Sequence, residues 1–251
     1  MGGDQVEGRR AVLELLQAGR RTVRRVLVAE DQDPSPQLDL IEQLAAKRRV
    51  PVETVPHARL HAQARTEAPQ GVLALARPVD PVPLEDLCSA ATKRSAPFLL
   101  VAAGITDPRN LGALLRSAEC AGVTGVVLPR HRSARLSPTV AKTAAGAIEH
   151  LSFAVVGGIA AALPAMRDLG VWSIGLAAEA DQSLYVLPLG NGPVALVVGS
   201  EEKGLAPLVQ RRCDALASIP QHGALPSLNV GVAGAIACFE VARQRALRAA
   251  H

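Results

Sequence analysis

The chain has 251 residues, of which 49% are apolar, and its 27 basic and 23 acidic residues give a formal net charge of +4. This length can bury a sizeable core without disulfides or a structural metal. The aromatic residues are only three Phe, one Trp and one Tyr. We therefore predict an aliphatic core and exclude nucleic-acid readers that stack bases on rows of aromatic side chains.

The first 76 residues alternate between helix and strand patterns. Val12, Leu15 and Leu16 recur at helical spacing in a segment that ends at Gly19, which is typical of a helix C-cap. The pattern indicates a small α/β domain over residues 1–76. The other elements predicted in it are a strand at 24–30, a helix at 35–49, and strands at 51–55 and 71–76.

Residues 77–95 contain three prolines within their first seven positions and one short helical pattern, and we interpret them as a linker. Residues 96–251 then hold continuous apolar runs bounded by Gly and Pro, which are typical of parallel strands buried on both faces. They predict a second α/β domain that closes with a helix at 228–249, whose last turns carry Arg243, Arg245 and Arg248 near the negative end of the helix dipole. The four runs are 97–104, 122–129, 171–178 and 192–200.

Cysteine spacing and hydropathy limit the class of protein further. The four cysteines lie far apart without a C-x-x-C pair, and the histidines have no metal-ligand spacing, so neither disulfides nor a metal site is predicted. This cysteine usage favours a reducing cytoplasm. No apolar run reaches 18 residues, and no signal peptide is recognisable at the amino terminus, so we expect no membrane segment.

Ligands of parallel α/β sheets bind beyond the carboxyl ends of the strands, so the segments after the apolar runs are the candidate site. Segments 104–122, 197–205 and 219–245 stand out. None carries a P-loop or a dinucleotide fingerprint, which disfavours a nucleotide-binding or dehydrogenase domain. Gly199 and Gly204 flank charged residues and predict a tight loop, for which plain turn geometry is the simplest explanation.

Together these segments resemble the SpoU (TrmH-like) family of RNA ribose 2′-O-methyltransferases, within the SPOUT superfamily. The amino-terminal part is similar to the substrate-binding domain of the branch that methylates a guanosine in 23S ribosomal RNA (RlmB-like). The residues that carry the family's three motifs are Asn110, Gly112, Arg116 and Ala118; Gly199, Ser200, Glu201 and Gly204; and Ile219, Pro220, Ser227, Leu228, Asn229, Glu240, Arg243 and Gln244.

The resemblance implies a deep trefoil knot in the carboxyl-terminal parallel-sheet domain, S-adenosylmethionine as the cofactor, a homodimer, and RNA as the partner, with 23S rRNA or a tRNA as the substrate. It also implies cofactor contacts at Gly199, Ile219 and Leu228. The implied catalytic arginine is Arg116. The further implied site residues are Asn110, Glu201, Ser227 and Asn229.

Simpler explanations compete with several of these roles. Helix capping explains Asn110 and Ser227 equally well, and core packing explains Ile219 and Leu228. Because Asn110 and Arg116 are six residues apart, they lie about 120° apart around a helix, and spacing alone does not make them one site. Whether Arg116 acts as a general base or as a cation that stabilises charge is left open, since arginine resists deprotonation.

Some positions depart from the family's usual pattern, and they leave two questions open. One is the identity of the target nucleotide. The other is whether the chain is a non-catalytic RNA-binding paralogue, because most departures fall in the third motif. They are Gln221, His222, Pro226 and Gly231, together with Pro69 in the first domain.

Overall fold

A computed structural model describes residues 1–30, 32–33, 35–89, 96–225 and 227–249. The chain forms two compact units, residues 1–80 with 135–150, and residues 81–134 with 151–251. Residues 90–95 of the predicted linker, and Pro226, lie outside the described residues. Among the helices that the structure describes, none has both the length and the apolar character needed to cross a bilayer.

The first unit is built on a four-stranded mixed sheet in the order β1-β4-β2-β3, in which only β2 and β3 are parallel. The predicted helices and strands of this unit are confirmed, while β1 and α3 were not predicted. Its elements are β1 (Gln5–Glu7), α1 (Arg9–Ala18), β2 (Val23–Ala29), α2 (Pro36–Lys47), β3 (Val52–Val55), α3 (His57–Gln63) and β4 (Val72–Ala76).

Alternation along β2 explains why this sheet is covered on both faces. Val26 and Val28 are buried in one cluster with side chains of α1 and α2, and Leu27 and Ala29 are buried in a second cluster with Leu60 of α3. Successive side chains of a strand point to opposite faces. Gly19 ends α1 with a φ of 60°, as the C-cap prediction requires.

Residues 135–150 pack with the first unit although they lie within the sequence predicted as the second domain. A buried ion pair holds this segment, since the guanidinium of Arg21 donates to both carboxylate oxygens of Glu149. The side chains of this pair are 8% and 3% exposed. Arg21 also donates to the carbonyls of Gly3 and Arg77, at 2.6 and 2.8 Å. The segment contains an α-helix at Pro138–Thr143 and a 3-10 helix at Ala147–Glu149.

The second unit contains a six-stranded sheet whose pairings are all parallel, in the order β10-β8-β9-β5-β6-β7. This confirms the predicted α/β class and the parallel sheet. The elements that complete the chain are α4 (Leu84–Ser89), β5 (Phe98–Ala102), α5 (Pro108–Cys120), β6 (Gly125–Pro129), α6 (Pro138–Thr143, in the first unit), β7 (Ser152–Val156), α7 (Ile159–Asp168), β8 (Trp172–Leu176), β9 (Val194–Val198), α8 (Pro207–Arg212), β10 (Ala215–Ala217) and α9 (Val230–Ala249).

The core is aliphatic, as predicted. Of the five aromatic residues only Phe98 and Phe153 are fully buried, whereas Tyr185 and Phe239 are about half exposed. The rest of the core consists mainly of Leu, Val, Ile and Ala, packed from the sheet against α7 and the neighbouring helices. Strands β7 and β10 were not predicted, and β10 is a three-residue strand without a β-branched side chain.

An arginine fixes the final helix to the end of this sheet at which strands β5 and β9 begin. The guanidinium of Arg245 donates to the carbonyls of Ala96, Pro97 and Gly192 at 2.8 to 3.1 Å, and it lies 5.1 Å from the centre of the Phe98 ring. Burial lowers the pKa of Arg245. The prediction that Arg243, Arg245 and Arg248 lie in the last turns of α9 is confirmed, and Arg248 is in the final turn.

Replacing Arg245 by Met should lower the free energy of unfolding by about 2–4 kcal/mol, because charged hydrogen bonds to three carbonyls are lost. Urea denaturation followed by circular dichroism measures this change. Arg248→Met, in the exposed last turn, is the matched control and should change stability by less than about 0.5 kcal/mol. Equal losses in the two variants would contradict the role assigned to Arg245.

Candidate functional site

A cavity of about 290 Å³ opens where β8, β9 and β10 end. These three strands are neighbours in the sheet. Residues that follow each strand line the cavity: Ala177 after β8, Gly199 after β9 and Ile219 after β10. The start of α9 closes another side with Leu228 and Val230. The cavity thus lies where strand-end reasoning predicts a ligand site.

The loop after β9 is a tight turn that requires its two glycines. Ser200 and Gly204 exchange backbone hydrogen bonds of 2.9 and 3.1 Å. A Cβ atom on Gly199 would lie 2.1 Å from the backbone carbon of Gly204, and Gly204 has a φ of 60°. Turn geometry therefore explains both glycines, and the same close packing exposes backbone to the cavity.

Glu201 holds this loop against the start of α5. Its carboxylate accepts hydrogen bonds from the backbone N–H groups of Thr106 and Asp107, from the Thr106 hydroxyl and from the side-chain amide of Asn110, at 3.1 to 3.4 Å. Burial raises the pKa of Glu201, but these bonds and that from its own backbone N–H outweigh burial and leave the pKa below its ordinary value. Glu201 is therefore a carboxylate that stays ionised.

A chain of hydrogen bonds continues from Glu201 to the start of α9. Asn110 donates to Glu201 at 3.2 Å and accepts from the side-chain amide of Asn229 at 3.0 Å. Asn229 in turn accepts from the N–H groups of Gly231 and Val232 at 2.9 and 3.3 Å. An ionised carboxylate only accepts and backbone N–H groups only donate, so the two ends fix the orientation of both amides. One predicted residue from each of the three motifs belongs to this chain.

The capping roles considered for Asn110 and Ser227 are wrong. Asp107 is the N-cap of α5, since its side chain accepts from the N–H of Arg109 at 2.8 Å, and Asn110 lies three residues further on. Asn229 takes the N-cap position of α9, through the bonds to Gly231 and Val232. The helix consequently begins at Val230 instead of residue 228. Ser227 is exposed and lines the cavity.

Arg116 lies apart from this chain of bonds, on the exposed side of α5. Within the part of the chain that the structure describes, no hydrogen bond or ion pair involves its guanidinium. Arg109, seven residues earlier and also exposed, lies on the same side of the helix, because seven residues are close to two turns. The structure therefore presents two arginines to solvent along α5 and does not place Arg116 in the cavity wall.

Close packing of α9 on α5 leaves little room for a side chain at Gly231. A Cβ atom there would lie 3.2 Å from the side-chain oxygen of Asn229 and 3.4 Å from the carbonyl oxygen of Asn110. A Cβ atom on Gly234 would meet Leu114 at 2.5 Å. The glycines let the helices approach closely enough for Asn110 and Asn229 to bond. Of the other departures in this motif, Gln221 lines the cavity and His222 is exposed.

The cavity thus brings together five predicted residues, Gly199, Glu201, Ile219, Ser227 and Leu228. Sequence reasoning missed the residues that follow β8 and one glutamine of α8. The first group could have been found, because 171–178 was identified as a strand and its carboxyl end obeys the same rule as the others. The missed residues are Ala177, Ala178, Glu179 and Gln210.

No group of three or more His, Cys, Asp or Glu side chains is placed to hold a metal ion among the described residues. Three further motif residues hold α9 in place. Glu240 is buried and accepts from Arg243 and Gln244, each at 2.8 Å, and hydrogen bonding from Arg243 lowers the pKa of Glu240 although burial opposes it. Gln244 also bonds the backbone of Leu187 and Gly190. These residues fasten α9 to the loop before β9.

Comparison with family models finds two matches in chain order. Residues 5–82 match the RNA 2′-O ribose methyltransferase substrate-binding model, and residues 97–239 match the SpoU rRNA Methylase family model. A 23S rRNA (guanosine-2′-O-)-methyltransferase, RlmB, of Pseudomonas aeruginosa is 39% identical over 244 residues, which are 96% of this chain and 97% of that protein.

Two solved structures show the same architecture. A crystal structure of an RNA 2′-O ribose methyltransferase has a TM-score of 0.77 and 28% identity, and the match covers 96% of this chain and 88% of that one. An rRNA methyltransferase from Sinorhizobium meliloti, crystallised with AdoMet bound, has a TM-score of 0.78 at 23% identity, covering 95% and 86%. The second likeness supports the fold alone.

Replacing Asn110 by Asp should destabilise the protein most at neutral pH. The new carboxylate would lie beside Glu201, and two ionised carboxylates at that distance repel each other. In the folded protein this repulsion raises a pKa of the carboxylate pair. A pKa raised on folding leaves stability intact in acid and removes it as the pH rises. We expect a loss of about 1–3 kcal/mol at pH 7 and a smaller loss near pH 4, measured by urea denaturation.

Asn191→Asp, in an exposed turn, controls for the added charge and should show little loss at either pH. A loss in Asn110→Asp that is the same at both pH values would contradict the pairing of Asn110 with an ionised Glu201.

Proposed function

The chain belongs to the SpoU rRNA methylase family, and we propose that it transfers a methyl group from S-adenosylmethionine to a ribose 2′-hydroxyl of RNA, with a guanosine of 23S rRNA as the target. The observation that carries this proposal is the hydrogen-bonded chain from Glu201 through Asn110 to Asn229 beside the cavity. Each of the three motifs contributes one side chain to it. The joining of all three motifs beside the cavity favours an enzyme over a non-catalytic RNA-binding paralogue.

The cavity suits the adenosyl part of the proposed cofactor. Its volume of about 290 Å³ is at the lower end of the range for small-molecule sites. Its walls combine the aliphatic side chains of Ile219 and Leu228 with the backbone at Gly199, where no Cβ atom intervenes. We assign the cofactor contacts to these three residues. When bound there, S-adenosylmethionine would supply an electrophilic methyl group.

The residues around the cavity would then position and activate the ribose. Glu201 and Asn110 hold the loop after β9 and the first turn of α5 in one arrangement, which aligned attack on a methyl group requires. We assign contacts with the ribose to Ser227 and Asn229, at the start of α9. We assign Arg116 the role of a charge-stabilising cation, because a guanidinium presents five N–H donors and no acceptor. A cation beside the hydroxyl lowers the cost of its losing a proton to water and stabilises the developing oxyanion.

The amino-terminal domain, residues 1–76, would bind the RNA, followed by a linker at 77–95 and the methyltransferase domain at 96–251. The match of residues 5–82 to a substrate-binding model supports this division. The choice of 23S rRNA follows the name of the P. aeruginosa relative. The trefoil knot and a cytoplasmic location remain predictions from the resemblance and from cysteine usage.

We also propose a homodimer formed through the exposed face of α9. Val232 and Phe239, seven residues apart and so on one side of the helix, are 49% and 51% exposed. Burying such apolar side chains against a second copy is favourable. The mass at micromolar concentration, measured by sedimentation velocity, should be that of a dimer, and a monomeric mass would contradict the proposal.

Incubation of the protein with S-adenosylmethionine and unmodified 23S rRNA, followed by mass-spectrometric mapping, tests the proposed function. We expect one 2′-O-methylated guanosine. Methylation of a tRNA ribose instead would support the proposed reaction and identify tRNA as the substrate. Calorimetry that detects no binding at millimolar S-adenosylmethionine would reject the enzyme and favour the non-catalytic paralogue.

Arg116→Ala should lower the rate of methyl transfer by at least about 100-fold, in the range that removal of one charge-stabilising group costs. The unfolding midpoint and the affinity for S-adenosylmethionine should stay unchanged, because Arg116 is exposed and outside the cavity wall. Arg211→Ala, an exposed arginine of α8, is the matched control. Full activity in Arg116→Ala would refute the assigned role.

A further inference from the structure

One end of the first unit carries a cluster of exposed basic side chains. It lies where α1 and α2 end and β2 begins. We call it the basic end. Segments 17–25 and 46–50 contain seven basic residues and no acidic one. The exposed members of the basic end are Arg20, Arg24, Lys47, Arg48, Arg49 and Arg77.

Hydrogen bonds and strand register show that these residues form one surface. Arg48 donates to the carbonyl of Gln17 in the last turn of α1 at 3.0 Å. The N–H of Arg77 donates to the carbonyl of Thr22 at 2.8 Å, beside the start of β2. Val26 pairs with Val52 in the parallel β2–β3 ladder, so Arg24 lies level with residue 50, next to Arg49. The basic end is therefore continuous from α2 across to β4.

Internal ion pairing does not account for this charge. Among the described residues, no ion pair involves Arg24, Lys47, Arg48, Arg49 or Arg77. The neighbouring Arg25 instead faces Glu53 on the adjacent strand at 3.4 Å. Like charges left together on a surface repel one another, so their clustering costs stability unless a ligand neutralises them.

Helix dipoles explain only part of the cluster. Lys47 is in the last turn of α2 and Arg48 caps it, positions where a cation is favourable. Arg24 is on a strand, and Arg49 follows the helix with a φ of 58°. The helix dipole therefore does not account for Arg24. A partner with negative charges spaced along its length would contact strand, helix end and loop together.

We propose that the basic end, a surface of the first unit, binds the phosphate backbone of the RNA substrate. This inference rests on the proposed function, which makes RNA the partner. Arginine suits this surface because its planar fork pairs with phosphate oxygens in two places. Contacts of this kind position the RNA without reading its sequence.

The basic end also lies at the far end of the sheet from the loop that precedes β4. That loop is fixed by Glu7, which accepts from the N–H groups of Arg65 and Thr66 at 2.7 and 3.0 Å. The seven residues of β2 separate the two ends by about 20 Å. RNA bound along this unit would therefore reach the basic end as a second contact, several nucleotides from any contact at that loop.

The test compares two triple variants of the full-length protein with the same loss of net charge. Arg24→Gln/Lys47→Gln/Arg49→Gln changes the basic end, and it spares Arg48, which bonds the end of α1. Arg59→Gln/Arg211→Gln/Arg248→Gln is the control and changes exposed arginines elsewhere. Filter binding to a 23S rRNA fragment, at several salt concentrations, gives the salt slope for each protein.

The salt slope is the decrease of log K with log salt concentration, and each lost phosphate contact should reduce it by about 0.7–0.9. The slope of the basic-end variant should therefore be smaller than that of the wild type by about 2–3. Its affinity and its KM for RNA should worsen by about tenfold or more. The kcat, the affinity for S-adenosylmethionine and the unfolding midpoint should not change. The control variant should keep the salt slope of the wild type.

The outcomes separate this proposal from the proposed function. Wild type that binds RNA but transfers no methyl group would refute the proposed function, and the salt slopes would still test the basic end. Equal slopes for the wild type and the basic-end variant would overturn the basic end as an RNA site. Loss of binding to phosphatidylserine vesicles in that variant, with RNA binding intact, would assign the surface to anionic lipid and would also overturn it.

Discussion

The bond between Asn110 and Asn229 is the interaction on which the site depends. It joins the first turn of α5 to the N-cap of α9, and Glu201 connects the same amide to the loop after β9. Three segments that are far apart in sequence are thereby held at one place. The polarity of the chain is set by an ionised carboxylate at one end and helix N–H groups at the other, so each amide has one favourable orientation. The cavity beside this chain of bonds is therefore bounded by segments that are held in one arrangement.

Glycines make this arrangement possible by removing side chains where backbones meet. Gly199 lies against the backbone of Gly204, and Gly231 lies against Asn110 and Asn229. The close approach brings polar side chains within bonding distance and leaves backbone exposed to the cavity. An aliphatic wall then suffices to enclose a ligand. A site of this kind has little need of aromatic side chains, which agrees with a chain that contains five.

The sequence predicted the parallel sheet because buried strands read as continuous apolar runs between Gly and Pro, as at β5 and β9. The position of the site followed from the rule for strand ends. The capping alternatives considered for Asn110 and Ser227 are wrong because nearby residues offer the same chemistry: Asp107 lies three residues before Asn110, and Asn229 lies two residues after Ser227. The packing of residues 135–150 with the first unit includes the pairing of Arg21 with Glu149, which are 128 residues apart. No local pattern reveals such a contact.

A double-mutant cycle on Asn110 and Asn229 tests the central claim most directly. The measurement is the single-turnover rate of methyl transfer to RNA by Asn110→Ala, Asn229→Ala and the double variant. If one chain of bonds orders the site, either substitution breaks it, and the double variant should be no slower than the slower single variant. Rate losses that multiply in the double variant would show that the two residues act independently and would contradict the account.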